Sequence, residues 1–275
     1  MALIMDINYE RDFDLLINIS LEIGNKLQGQ KIPENGQFIY YAEGLGQKII
    51  NHILTARNLF NGYQLVIGKN IYEPKIDYSS IAILTRAALE TYLSFNYIFV
   101  AVQNDKEKEF RFLCWDLAGY VERSDFEPKI EKHFELKESE RKVIEKLRNQ
   151  LSENSIFKKL STKNQARALN GQWRLDNSWN QLAVKAGFNK EYFRQQYKFL
   201  CGYAHSSRLS IIQIQQNKSI DQQREMAIAS VGTLMVILAK HMYDYIEIMP
   251  QLIDVKQDIS KYQIILAWKT IGEQI

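Results

Sequence analysis

Apolar residues recur three and four positions apart along almost the whole chain, the spacing that gathers them on one face of an α-helix. Leu15, Leu16, Ile19, Ile23 and Leu27 mark a first helix over about 7–28. The turn-rich stretch GQKIPENGQ, 29–37, leads into a second helix from about Phe38 to at least Phe60. Residues 63–76 are ambiguous, because Leu65-Val66-Ile67 suits either a continued helix or a short strand before Gly68. Asp77 or Ser79 can cap a long apolar helix over 79–103. Asp105 opens a further helix that stops near Asp125–Pro128, and two charged amphipathic helices are expected over 138–151 and 155–169. Gly171 separates these from the aromatic stretch Trp173–Trp179. A helix over about 178–186 ends at Gly187, a glycine placed to stop it. Asn189 opens a helix over 190–206, 207–217 is uncertain, and long helices follow over about 219–249 and 258–273.

No period repeats along the chain, and no Ser/Gly-rich linker divides it. The expected fold is all-α, a single helical domain of about eight to ten helices over 1–275. A polar helical insertion is expected around 128–176, and helix 79–103 is expected to pack centrally against helix 190–206.

Composition narrows the class. At 275 residues, with 46% hydrophobic and 24% charged positions, the chain can bury a sizeable core and is not disordered. Four prolines, Pro33, Pro74, Pro128 and Pro250, suit long helices. The formal charge of +3 implies no polyanionic partner by itself. Cys114 and Cys201 lie in helix-like apolar runs, which reads as two buried thiols in a reducing compartment. Residues 1–14 show no basic leader followed by an apolar run, so the expected location is cytoplasmic. The apolar run 81–102 carries Arg86 and Glu90, each costing about 2.5–3.5 kcal/mol at a bilayer centre. The run Met226–Ala239 is shorter than the roughly 20 residues a span needs. Both read as core helices, with no membrane partner.

The candidate chemistry sits where polar residues interrupt apolar faces. Arg86 and Glu90 are four apart and are helical neighbours, with Tyr97 on the same stripe two turns later. Apolar flanks at Leu84, Ala88, Leu93 and Phe95 predict that the pair is buried. In the later helix, Arg194, Tyr197, Cys201 and His205 fall on one face, and His205 ends it before Ser206, Ser207 and Arg208. An imidazole at a helix C-terminus has its protonated form favoured, so it can pair with Glu90 or exchange protons. The same constellation also reads as a purely structural lock on helix register.

The runs ILTRAALETYLSFNYIF and YKFLCGYAHSS resemble the uncharacterised bacterial family DUF5677, over roughly residues 38–250. Carried over by position, Arg86, Glu90, Tyr197 and His205 match that family's Arg-x-x-x-Glu pair and its Tyr-rich helix ending in a His-Ser or His-Pro step. The resemblance implies an all-α fold and assigns no activity. Helical proteins of this general kind have been compared with HEPN ribonucleases of toxin and phage-defence systems, whose signature is Arg, four to six residues, then His. None of His52, His133, His205 or His241 has such an arginine, and Arg194 precedes His205 by eleven positions. A ribonuclease of that type needs Arg86 or Arg208 to take the missing place in space.

Between Phe157 and Arg174 lie Lys158, Lys159, Lys163, Arg167 and Arg174 with no acid, beside Trp173 and Trp179. Cations interleaved with aromatics suit nucleic acid, and they equally suit a solvated helix face beside a tryptophan anchor. His241 and Asp244 have metal-type spacing, but no Glu-x-x-His pair matches them on a second helix, so they read as an exposed face. No metal or cofactor is expected. Phosphate-loop, dinucleotide, nucleophile-elbow and zinc-helix motifs are all missing. Two functions remain open. One is a binding or regulatory component, of a defence or stress system, whose 15 tyrosines and 13 phenylalanines suit a protein partner or homo-oligomer. The other is a metal-independent ribonuclease or toxin in which His205 acts with Arg86 or Arg194, and Glu90 and Tyr197 support them.

Overall fold

A computed structural model describes residues 8–30, 37–127 and 129–274. The start of the first expected helix, the start of the chain, Pro128 and residues 31–36 of the turn-rich connection lie outside the described residues. The chain forms α1 (Tyr9–Leu27), α2 (Gln37–Phe60), a hairpin of β1 (Val66–Ile67) and β2 (Asn70–Ile71), and α3 (Tyr78–Phe95). A π-helical turn (Asn96–Val100) precedes α4 (Asp105–Ser124) and α5 (Glu131–Glu153). A 3₁₀ turn (Phe157–Lys159) then leads to α6 (Thr162–Leu169), α7 (Trp179–Lys185), α8 (Lys190–Ala204), α9 (Arg208–Gln216) and α10 (Ile220–Ile248). After a 3₁₀ turn (Pro250–Leu252), α11 (Ile253–Gln257) and α12 (Ile259–Gln274) close the chain. The fold is all-α apart from the hairpin, with twelve α-helices among the described residues.

Local chemistry sets the boundaries. Asp77 accepts from the Ser80 amide and starts α3, Asn189 accepts from Glu191 and Tyr192 and starts α8, and a Ser219/Gln222 capping box starts α10. The ambiguous stretch is an antiparallel hairpin pairing Val66 with Ile71 and Ile67 with Asn70. The expected helix 79–103 ends eight residues early as α-helix. Arg111 accounts for this, because its Nη1 donates to the carbonyls of Tyr97 (2.5 Å) and Ala101 (2.7 Å) and satisfies the loosened turn. The expected helix 155–169 is broken at Leu160, which is extended, and restarts where Ser161 caps α6. Residues 207–217 form α9 behind the cap of Ser207.

The chain divides into two compact units. The first holds residues up to Asn96 and from Ala183 onward. Its centre is α3, packed against α2, α8 and α10, with α10 also packed on α1 and α12. Tyr92, Phe95, Leu89 and Ile81 of α3 are buried with Ile49 and Ile53 of α2 and Leu234 and Ile237 of α10, each worth about 2 kcal/mol when withdrawn from water. The apolar window of α10 has the length and hydropathy of a membrane span, yet 72% of it is buried inside the fold, so its apolarity is spent on the core.

The second unit, Tyr97–Leu182, has its own core of Phe110, Cys114, Leu117, Ile144, Leu147, Leu151, Phe157 and Ala168. Burial pushes the Cys114 thiol up to about 12, which keeps it protonated and inert.

Candidate functional site

In the first unit α3 and α8 bring four of the expected side chains together. Arg86 Nε donates to Glu90 Oε1 at 2.9 Å, as their i, i+4 spacing on α3 allows. Tyr197 of α8 donates its hydroxyl to the same Glu90 oxygen at 2.7 Å. Arg86 Nη1 lies 2.8 Å from His205 Nε2 at the end of α8, and its guanidinium lies over the Tyr197 ring at 5.6 Å. Phe193 stacks on Tyr197 at 5.3 Å and fixes the phenol from behind. Glu90 is therefore held by two donors, and Arg86 is fixed on its Nε side with its outer edge turned to the imidazole.

Three expectations are corrected here. The pair is not sealed away: the Arg86 and Glu90 side chains keep 21% and 27% of their surface, and His205 is exposed. The α3 stripe at this level faces the rim of the unit rather than its centre, as the exposed Ile83 one turn earlier shows. His205 reaches Arg86 rather than Glu90, because the guanidinium occupies the space beside the carboxylate. Tyr97 belongs to the π-helical turn and lies in the second unit, under the Arg111 guanidinium at 4.1 Å.

Arg194 does not join. Its Nη2 and Nε bond Glu191 three residues earlier, at 2.6 and 2.9 Å, on an exposed part of α8. That local pair needs almost no chain ordering, so it wins over a distant one.

Electrostatics assign roles within the cluster. Desolvation, then the hydrogen bond and charge of Glu90, raise the Tyr197 phenol well above its ordinary range, so it remains a donor and cannot act as a base near neutrality. Desolvation disfavours the Arg86 cation, but the Glu90 carboxylate outweighs it and holds the guanidinium above its ordinary value. Arginine has no lone pair, so His205 Nε2 must accept in the 2.8 Å contact.

The backbone beneath His205 is a Schellman turn. Ser207 N–H bonds Gly202 O at 2.8 Å and Ser206 N–H bonds Tyr203 O at 3.3 Å, with Ser206 in the left-handed region at φ 50°. A serine there carries strain that glycine would not. Ser206→Gly is expected to keep or raise stability and Ser206→Val to lower it, with a gap of about 1–3 kcal/mol in urea unfolding. Equal stabilities would mean that the turn does not hold His205 in this geometry.

The basic candidates lie in the second unit. Lys158, Lys159 and Lys163 are exposed. Arg167 pairs with Asp176, which also accepts from Asn164 at 2.6 Å and lies 3.9 Å from Lys163. Arg174 lies over the Trp179 ring at 4.3 Å and the Trp173 ring at 6.0 Å.

His241 and Asp244 are buried at 4% and 9% exposure, which overturns the exposed-face reading. They lie in the part of α10 sandwiched within the core. His241 packs against Phe95 (4.9 Å) and Tyr245 (5.4 Å), and Gly46 leaves only enough room for its ring. Asp244 Oδ2 accepts from Tyr92 and Asn96, each at 2.8 Å. Nearby Lys240 bonds Glu273 at 2.9 Å. Sequence reasoning missed this network, although a lysine directly after a long apolar run is its visible signal. No cluster of three or more metal-type ligands occurs among the described residues.

A family model described as a family of unknown function, DUF5677, matches residues 49–223. The match is narrower at both ends than the resemblance read from the sequence, and it includes Arg86, Glu90, Tyr197 and His205. No curated protein and no solved structure matches the chain.

Proposed function

The chain belongs to the DUF5677 family, a family of unknown function, and from the geometry of the site we propose that the Arg86–Glu90–Tyr197–His205 cluster cleaves RNA phosphodiester bonds without a metal. The observation that carries this reading is the 2.8 Å approach of Arg86 to His205 Nε2 at an exposed helix end. It sets a guanidinium beside an imidazole in a chain whose sequence offers no upstream arginine at ribonuclease spacing.

The steps follow from the groups present. An incoming phosphate takes the Arg86 Nη1 donor, which releases His205 Nε2. The freed Nε2 accepts the proton of the ribose 2′-hydroxyl as O2′ bonds to phosphorus. The P–O5′ bond breaks and O5′ takes back the proton that His205 Nε2 has just accepted, leaving a 2′,3′-cyclic phosphate, a 5′-hydroxyl and a neutral imidazole. Arg86 neutralises the charge that builds on the phosphoryl oxygens. Glu90 and Tyr197 position Arg86 and do not touch the reacting atoms.

The test is cleavage of a single-stranded RNA in EDTA. His205→Ala and Arg86→Ala are each expected to lower kcat/KM at least about 100-fold with melting nearly unchanged. Glu90→Gln and Tyr197→Phe, which act through Arg86, are expected to lose less. Wild-type protein that leaves RNA intact, with variants that only melt earlier, would make the cluster a register lock between α3 and α8 and the chain a binding component.

A further inference from the structure

The second unit carries a surface that the proposed chemistry does not use. The 3₁₀ turn Phe157–Lys159 is anchored by buried Phe157, and α6 by buried Ala168, which leaves Lys158, Lys159 and Lys163 exposed. Lys158 and Lys159 are exposed and have no carboxylate partner among the described residues. The loop after α6 is braced by Gln172 N–H on Arg167 O (2.9 Å) and by Asn177 Nδ2 on Arg174 O (2.9 Å). It holds Leu175 at φ 53°, a conformation that leucine rarely adopts. The same loop lays the flat Arg174 guanidinium over Trp179, with Trp173 edge-on to that indole at 6.3 Å. These three side chains are only partly buried.

We infer that this face grips single-stranded RNA, with Lys158, Lys159 and Lys163 on phosphates and the Arg174–Trp179 stack under an unpaired base. The inference rests on the reading that the chain acts on RNA, and it names the part of the chain that holds the strand. A pre-formed guanidinium–indole stack offers a planar surface with free N–H edges, which suits a base and its adjoining phosphate. An acidic protein would meet the lysines equally well but gives the indoles nothing to stack on. Asp176 is the internal competitor. It occupies Arg167 and lies near Lys163, so a phosphate entering here must displace it. Removing its charge should therefore strengthen binding, which a purely structural role would not produce.

The measurement is fluorescence anisotropy of a labelled single-stranded RNA with the full chain carrying His205→Ala, in EDTA, across a salt series. Adding Lys158→Ala/Lys159→Ala should weaken binding at least about fivefold and lower the salt slope by about 1.4, near 0.7 per lost phosphate contact. Arg174→Ala should cost about tenfold, the weight of one stacked base. Asp176→Asn should tighten binding two- to fivefold. Unchanged affinity in the lysine variant, weaker binding by Asp176→Asn, or equal competition by poly-glutamate or duplex RNA would overturn the inference. Failure of the cleavage reading is seen separately, as RNA bound by this surface but left intact by the wild-type chain.

Discussion

Asp244→Ala is expected to destabilise the protein by about 3–5 kcal/mol, the largest single effect outside the apolar core. Asp244 is buried on α10, and its Oδ2 accepts from Tyr92 and Asn96 of the first unit. Alanine strands a phenol and an amide with no water to replace the carboxylate, at about 1–3 kcal/mol for each orphaned donor. It also removes the negative charge next to Lys240, which has only 2% of its surface exposed. Burial raises the Asp244 carboxyl and lowers the Lys240 ammonium, so each depends on its neighbours to stay charged. Asp244→Asn keeps an acceptor for both donors and should cost about half as much. Urea unfolding checks both. A loss under about 1 kcal/mol for the alanine variant would mean that water or another group already serves those donors.

The second large effect is on acid stability. His241 is buried, and desolvation brings its imidazole down to about 4 from an ordinary 6.5. A depressed imidazole means that between those values the unfolded chain binds a proton that the folded chain does not. Stability is therefore full above about pH 6.5 and falls as pH drops towards 4. A fall from 6.5 to about 4 corresponds to about 3.5 kcal/mol, at about 1.4 kcal/mol for each tenfold change in proton affinity. Burial lowers His52 as well, which adds to the same trend. Carboxylates held low by partners, such as Glu191 at about 2 beside Arg194, begin to matter only at the acid end of this window. His241→Leu should flatten most of the slope between pH 6.5 and 4 while changing stability at pH 7 by less than about 1.5 kcal/mol. An unchanged slope in that variant would show that the imidazole already finds a proton acceptor in the fold.

Much of this architecture could be read from periodicity and caps. Asp77, Asn189 and Gly187 mark boundaries because each satisfies backbone groups locally, with no need of the tertiary fold. The Arg86–Glu90 pairing was legible for the same reason, since four residues on one helix are neighbours whatever surrounds them. The Tyr197 and His205 contacts needed only the 3.6-residue stripe and the packing of α3 on α8.

What escaped depends on distant partners. Regular α-helical spacing stops short of Tyr97, in a π-helical turn whose Tyr97 carbonyl is bonded by Arg111, fourteen positions later. Arg194 lies on the right stripe but Glu191 captures it. Apolar flanks suggested that Arg86 and Glu90 were sealed, yet which flank meets another helix is decided by packing that one sequence does not display. The Asp244 network reversed the expectation for the same reason. Polar spacing near the end of a long helix looks solvent-facing until α3 supplies Tyr92 and Asn96 to bond it.

Under the proposed chemistry, Arg86 and His205 turn a ribose hydroxyl on its own phosphodiester. The most direct measurement is the chemistry of the cut ends, read by mass spectrometry of a defined single-stranded RNA after incubation with the wild-type chain in EDTA. The expected result is a 2′,3′-cyclic phosphate paired with a 5′-hydroxyl, absent when His205 is alanine. Uncut RNA, or ends carrying a 3′-hydroxyl and a 5′-phosphate, would contradict it.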